Sequence, residues 1–228
     1  MLLFINNSEN NLKNTTWNLK AYYVIKKLLK DKTILVNTTN EMNEIIADKD
    51  QRKNIKGIIL TGSELRIKNK LCLKKIMDNI LPLLELNVPV LGLCFGLQVL
   101  GSIYQSKFSS FNTCIKGHVE VKLDTRYKIF KNMNLHPSKK DKLPRYSTMF
   151  VEHNDWLKTK PILFNIIAES NGIIYGIKHE FKQIYGLQFH PEFSYISDGI
   201  QIYKNFLKIC GLKYNTNLNY SDVQEVKH

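Results

Sequence analysis

The sequence predicts an α/β fold: a mostly parallel central sheet flanked by helices, with a small antiparallel addition in the second half. Three observations carry this. Short apolar runs alternate with helix-like segments from Leu2 to Leu93 in the order β-α-β-α-β-α-β, the pattern of a parallel sheet covered on both faces. The run Pro89-Val90-Leu91-Gly92-Leu93-Cys94-Phe95-Gly96-Leu97-Gln98 passes from a strand through Gly-x-Cys-x-Gly into a helix, which is the layout of a nucleophile elbow. Further on, strand-like segments follow one another closely, with Asn171-Gly172 as a hairpin signal.

Each element has its own local reason. Leu2 to Asn6 is a short apolar strand, and Trp17, Ala21, Val24, Ile25 and Leu28 recur at helical spacing within Trp17 to Lys30. Thr33 to Asn37 reads as a second strand and Glu41 to about Arg52 as a helix. Gly57-Ile58-Ile59-Leu60-Thr61 is a buried strand broken by Gly62-Ser63. A longer helix is expected from about Lys70 to Leu86, with Leu71, Ile76, Ile80, Leu83 and Leu84 as its core stripe. Val88 to Leu93 feeds Cys94. The later strands are expected at Gly117 to Leu123, Thr148 to Val151, Leu163 to Ser170, Ile173 to Lys178 and Gln183 to Phe189. A closing helix spans Asp198 to Ile209, with Ser197 or Asp198 as N-cap. Residues 131–146 read as a surface loop, and the polar, aperiodic tail from Lys213 to His228 as weakly ordered.

Composition narrows the function classes. A chain of 228 residues with 43% hydrophobic content suits one sizeable core. Its apolar runs are too short to span a bilayer, and Met1-Leu2-Leu3-Phe4-Ile5 has no basic n-region or cleavage site, so it reads as a strand. A cytoplasmic protein without membrane contact is expected. Cys72, Cys94, Cys114 and Cys210 are scattered with no zinc spacing, so no metal site is expected, and Cys72, Cys114 and Cys210 read as small buried hydrophobes. The net charge of +13 is spread along the chain and accompanies no nucleic-acid motif. The small cluster at Pro137 to Lys142 therefore reads as solvated basic surface rather than a polyanion site.

The chemistry converges on two strand ends. Gln188-Phe189-His190-Pro191-Glu192 supplies an imidazole and a carboxylate two residues apart, and with Cys94 these are the parts for acyl transfer through a thioester. The helix starting at Phe95 aims its positive end at the sulfur, and His190 can take the thiol proton. The oxyanion needs preorganised donors; the Phe95 N–H and the Gly62-Ser63 turn, at a neighbouring strand end, are the candidates.

These residues resemble the class I (triad-type) glutamine amidotransferases. The nucleophile motif of that family is similar to Gly92-Leu93-Cys94-Phe95-Gly96-Leu97-Gln98, and its His-x-Glu motif to His190-Pro191-Glu192. Gly57 to Ser63 resembles the family's oxyanion strand, Gly117-His118-Val119 falls at its glycine before a strand, and Met149 to Asp155 is similar to the substrate-contacting stretch of GMP synthase amidotransferase domains. The likeness covers about residues 1 to 210, leaving 211–228 as a tail, and implies the family's flavodoxin-like sheet. It also implies roles. Cys94 attacks the side-chain amide of glutamine, His190 moves the proton, Glu192 orients His190, Gly62, Ser63 and Phe95 hold the oxyanion, and Gln98, Glu152 and His153 contact substrate. No cofactor is implied, and the ammonia would pass to a separate synthase subunit. The chain departs from the family at Gly62-Ser63-Glu64, where Gly-Gly-Pro or Pro-Gly-Pro is usual, at Glu152, where a small residue is usual, and at Asn154, where glycine is. Two other readings remain open: a stand-alone γ-glutamyl peptidase or hydrolase, and a catalytically idle subunit binding an acidic protein or nucleic acid.

Overall fold

The structure is a computed structural model describing residues 1–8, 16–30, 32–37, 39–138, 143 and 145–223. Four strands and their helices come first: β1 (Leu2–Ile5), α1 (Thr16–Leu28), β2 (Thr33–Val36), α2 (Thr39–Ala47), α3 (Lys49–Asn54), β3 (Gly57–Leu60), α4 (Lys70–Leu84) and β4 (Val90–Leu93). Then follow α5 (Phe95–Ile103), β5 (Phe108–Leu123), β6 (Tyr146–Leu157), β7 (Phe164–Ser170), β8 (Ile173–His179), β9 (Ile184–Leu187) and α6 (Ile200–Ile209).

The nine strands among the described residues belong to one sheet, in the order β2-β1-β3-β4-β9-β8-β7-β5-β6. The pairs from β2 to β9 are parallel, whereas β8, β7, β5 and β6 each pair antiparallel with the neighbour before them. The fold class is the expected one, but the antiparallel part is larger than expected. It contains the two longest strands, of 16 and 12 residues.

Alternation within the first strand divides the core into two layers. Leu2 and Phe4 face one cluster with Val24 and Leu28 of α1 and Tyr203 and Phe206 of α6. Leu3 and Ile5 face the other, with Leu83 of α4 and Leu97 of α5. Every residue of β1, β3 and β4 is buried, as strands covered on both faces must be. Among the described residues no helix is long and apolar enough to cross a membrane.

Several local expectations change for identifiable reasons. The helix expected over Glu41 to Arg52 is two, because Asp48 accepts hydrogen bonds from the backbone N–H of Asp50 (2.9 Å) and Gln51 (3.0 Å) and so caps a new helix. Leu71 is 84% exposed while Ile80, Leu83 and Leu84 are buried. Leu71 lies nine residues before Ile80, about two and a half turns, and therefore on the opposite side of the helix. Neither Ser197 nor Asp198 caps α6. Ser197 Oγ donates to the Thr148 carbonyl at 2.7 Å, Asp198 is left-handed (φ 54°), and Gly199 holds the N-cap position.

Asn171 and Gly172 do form the hairpin turn, both with positive φ (48° and 77°). Residues 213–215, read as the start of a weakly ordered tail, dock back onto α1, and residues 224–228 of that tail lie outside the described residues. Lys30 N–H donates to the Lys213 carbonyl and Asn215 N–H to the Leu28 carbonyl, and Tyr214 packs on the core. On α1 itself, Ala21, Val24, Ile25 and Leu28 are buried as expected, and the Trp17 side chain lies outside the described residues. So do Lys139, Lys140, Asp141 and Lys142 of the basic cluster.

Candidate active site

The elbow is built where β4 gives way to α5. Cys94 holds φ 50° and ψ −103°, a strained conformation that persists only where the surroundings over-determine it. Those surroundings are visible. Cys94 N–H donates to the Leu187 carbonyl of β9 at 2.7 Å. A methyl group on Gly96 would meet the Leu60 carbonyl oxygen of β3 at 2.3 Å, so α5 sits directly against that strand. The thiol therefore stands at the N-terminal end of α5, where free N–H groups favour negative charge.

Parallel pairing of β4 with β9 brings the second motif to the same sheet edge. Gly92 lies opposite Gly186 and Leu93 opposite Leu187, so the chain leaving β9 runs beside Cys94. His190 N–H donates to the Phe150 carbonyl of β6 at 2.8 Å, and a 3-10 turn over Pro191–Phe193 folds Glu192 back under the ring. His190 Nδ1 is then 2.9 Å from Glu192 Oε1, leaving Nε2 for the Cys94 thiol, which lines the same cavity. His190 and Glu192 are only 3% and 2% exposed. Burial alone would lower the His190 pKa, but the nearby Cys94 and the hydrogen-bonded Glu192 carboxylate outweigh it and hold it well above the usual value. A thiol and an imidazole lining one cavity, with a carboxylate hydrogen-bonded to the ring, are equipped to pass the thiol proton to the ring.

Glu192 has a further partner that no local motif signals. Tyr203, buried on α6, donates its hydroxyl to Glu192 Oε2 at 2.7 Å. The carboxylate is thus held at both oxygens. Tyr203→Phe keeps the ring and removes that one donor. A hydrogen bond to a charged group contributes about 1.5–3 kcal/mol, so kcat of any reaction run by this thiol and imidazole should fall about tenfold or more with KM nearly constant. Unchanged kcat in a folded variant would show that the hydroxyl is not needed to hold Glu192.

The opposite wall comes from the turn after β3 and from β6, enclosing a cavity of about 190 Å³. Ser63 and Phe95 line it. Gly62 stands just behind, where an added methyl would lie 3.6 Å from Cys94 Cβ and 3.5 Å from His190 Cε1. Its carbonyl is turned into the protein and accepts from Asn18 Nδ2 and Thr61 Oγ1. Ser63 Oγ accepts from Leu65 N–H and stiffens the turn.

Gln98 also lines the cavity, but its amide nitrogen is committed inward, donating to the Asp155 carbonyl (2.7 Å) and to Gln188 Oε1 (3.3 Å). Gln188, fully buried, in turn donates to Cys94 Sγ at 3.6 Å. The thiol itself points at the Glu152 carbonyl, also 3.6 Å away, while the Glu152 side chain pairs with Lys116 Nζ at 3.0 Å. Cys114, expected to be buried, is exposed and lines the same cavity as Cys94. Cys72 is half-buried, and Cys210 is buried as expected.

Strict alternation along β6 turns His153 and Asp155 inward. Asp155 receives Arg66 through two hydrogen bonds (2.7 and 2.8 Å), Ser110 Oγ at 2.6 Å and Ile67 N–H at 3.2 Å. Burial would raise its pKa, but the Arg66 and Ser110 hydrogen bonds hold it below the usual range.

His153 Nδ1 meets the Asp155 carbonyl at 3.2 Å and its Nε2 is buried without a hydrogen-bond partner. Burial pushes the His153 pKa down from 6.5 to about 4. The folded chain thus refuses a proton that the unfolded chain accepts below pH 6.5. Stability should be complete above that pH and fall as pH drops towards 4, by about 3 kcal/mol at most from this residue. Denaturation midpoints measured at neutral and acidic pH should converge more for His153→Gln than for the wild type. Equal acid sensitivity in the two proteins would refute this.

Motif reading found Cys94, His190 and Glu192, and the fold gathers them together. It missed Tyr203, Gln188, Asp155 and Arg66. Gln188 had a local cue, two residues before His190 on the same strand end, and Asp155 closed the stretch from Met149 likened to a substrate-contacting segment, although neither was given a role.

The glutamine amidotransferase class-I family model matches residues 10–210. The chain is 33% identical over 215 residues to a subunit of the glutamine-hydrolyzing GMP synthase of Methanococcus maripaludis, covering 94% of this chain and 99% of that protein. It is 32% identical over 168 residues to the protein of the same name from Methanococcus aeolicus, covering 73% and 80%. Among solved structures, a putative GMP synthase subunit from Thermoplasma acidophilum superposes with a TM-score of 0.71 at 23% identity, covering 92% of this chain and 94% of that one. The glutaminase domain of Trypanosoma brucei CTPS with bound acivicin gives a TM-score of 0.65 at 13% identity, covering 93% and 94%. At those identities the two structures speak to the fold.

Proposed function

The chain belongs to the class-I glutamine amidotransferase family, and from that premise we propose that it hydrolyses glutamine through Cys94, His190 and Glu192 and hands the ammonia to a separate synthase subunit of the GMP synthase type. The enzyme is a glutamine amidotransferase; the assignment of residues to steps is our reading. The observation that carries it is the meeting of Cys94 and His190 in one cavity at the carboxyl ends of the adjacent strands β4 and β9, with His190 Nδ1 2.9 Å from Glu192 Oε1.

In this reading His190 takes the Cys94 proton, and the thiolate attacks the side-chain amide carbon. The tetrahedral oxyanion is met by the Phe95 N–H and the Gly62-Ser63 turn. Collapse of that intermediate breaks the C–N bond. The nitrogen leaves as ammonia with the proton His190 returns, and a γ-glutamyl thioester remains on Cys94. Water, deprotonated by the same imidazole, then attacks the thioester, and glutamate departs as the thiol is re-formed. Glu192 and Tyr203 hold the imidazole in place throughout. The relatives that match across most of their length are named as one subunit of a GMP synthase, which supports a second, ammonia-accepting subunit as partner.

The test follows the nitrogen. Glutamine carrying an isotope-labelled amide nitrogen is supplied to this chain together with a GMP synthase-type synthetase subunit, in a background of unlabelled free ammonium. Label should appear in the synthetase product in excess of its share of the ammonium pool. A product labelled only to that share would sink direct transfer, and absence of glutamate formation would sink the glutaminase assignment.

A further inference from the structure

Building on the glutaminase reading, we infer that Arg66 forms the subsite for the substrate's α-carboxylate in the Cys94 cavity. Among the described residues lining that cavity, Arg66 is the one permanent cation. Nε and Nη2 are fixed on Asp155 Oδ2 and Oδ1. A guanidinium has five N–H donors in a rigid fork, so this docking leaves a second edge available. The two ends differ in exposure: the Asp155 side chain is 2% exposed and that of Arg66 43%. The guanidinium is therefore anchored at its buried edge and open at the other.

The anchor also removes the usual cost of using a long side chain for binding. Asp155 is itself held by Ser110 Oγ and by the Ile67 N–H, so Arg66 and its turn are locked before substrate arrives, and little rotamer freedom remains to be lost. A planar fork facing a planar carboxylate can make two charge-assisted hydrogen bonds. Besides Asp155, the same lining carries the carboxylates of Glu64 and of Glu152, the latter paired with Lys116 Nζ at 3.0 Å, and these have the sign that an α-ammonium group requires. A cavity with one cation and three carboxylates around a thiol, one of the carboxylates holding the cation in place, matches a zwitterionic amino acid whose side-chain amide reaches Cys94. The subsite reads the end of the molecule that glutamine shares with every γ-glutamyl compound, whatever the leaving group.

The experiment compares L-glutamine with L-glutaminamide, which keeps the γ-amide but has no α-carboxylate, using ammonia release by the full chain. Wild-type kcat/KM should favour glutamine by about a hundredfold, and Arg66→Met should lower the glutamine value about 10- to 100-fold while moving glutaminamide less than about threefold. Arg66→Lys, with the cation but not the fork, should fall between. Because Arg66→Met strands a buried carboxylate, Arg66→Met combined with Asp155→Asn supplies a second folded variant, in which the same loss of discrimination is expected. If Arg66→Met lowers both substrates by the same factor, Arg66 only props the turn and the subsite is wrong while the glutaminase reading stands. If the wild type releases ammonia from neither substrate, that reading fails, and the subsite with it.

Discussion

Replacing Cys94 with alanine should abolish glutamine hydrolysis, with kcat falling by roughly 10⁴-fold or more, in a protein that still folds. The reasons for the two halves of this expectation differ. The chemistry loses its only covalent partner, so no γ-glutamyl thioester can form and the His190–Glu192 pair has no proton to move. The fold loses little: Sγ makes only two long contacts, one to the Glu152 carbonyl and one from Gln188 Nε2, both at 3.6 Å, and alanine keeps the Cβ. A change in stability within about 1 kcal/mol is expected.

Ammonia release and a thermal melt check both halves. Residual hydrolysis within tenfold of wild type would mean that another nucleophile does the work. Cys114 would be the first suspect, since it lines the same cavity. It is a poor one, because burial and the nearby Glu152 and Cys94 charges push its pKa up. Cys114→Ala should accordingly leave glutamine hydrolysis within about twofold of wild type, as expected of a side chain that bonds to none of Cys94, His190 and Glu192.

The second large effect is expected from Gly96→Ala. The added Cβ would stand 2.3 Å from the Leu60 carbonyl oxygen and 3.0 Å from two further Leu60 atoms. The obstacle is backbone in a fully buried parallel strand, which cannot rotate aside. Either α5 lifts from β3 or β3 shifts in the sheet. Overpacking of this kind costs about 3 kcal/mol or more, which for a chain of this size is a drop in Tm of roughly 6–12 °C. Activity should fall further than stability, since lifting α5 moves Cys94 and the Phe95 N–H together.

Gly101→Ala provides the contrast. Its Cβ would meet Leu157 Cδ2 at 2.4 Å, the far end of a flexible side chain, so a smaller loss is expected. Wild-type Tm and activity in Gly96→Ala would overturn the account of the elbow.

The parts that could be read from the chain share one property: their signal is local. Each strand of the first half is a short apolar run bounded by polar residues, and the elbow's glycines, the Asn171-Gly172 turn and the His-Pro-Glu triplet are each complete within a few residues. Where reading stopped short, the deciding partner was remote or the pattern was disguised. β6 shows this most clearly. Its side chains alternate without a break from Tyr146 to Leu157, but the inward row is Ser147, Met149, Val151, His153, Asp155 and Leu157. Three of those six are polar, so hydrophobic alternation shows only over its middle. Two of them, His153 and Asp155, line the Cys94 cavity, where Asp155 is satisfied by Arg66, Ser110 and Ile67, while Ser147 donates to the Asn134 carbonyl. The first part of β5 was hidden similarly, since Phe108 to Thr113 is largely polar and its pairing with β6 shifts register between Ser110 and Ile115.

Sequence alone therefore determined the α/β class, the cysteine at a strand-to-helix turn and a histidine and carboxylate ready to serve it, because each is written in neighbouring residues. Tertiary structure alone decided that β9 lies beside β4, so that thiol and imidazole share an edge, that Tyr203 grips Glu192, and that Arg66 and Asp155 meet across 89 positions of chain. Those contacts are chosen by which faces must be buried and which buried charges must find partners, and such conditions are met only once distant segments have packed together.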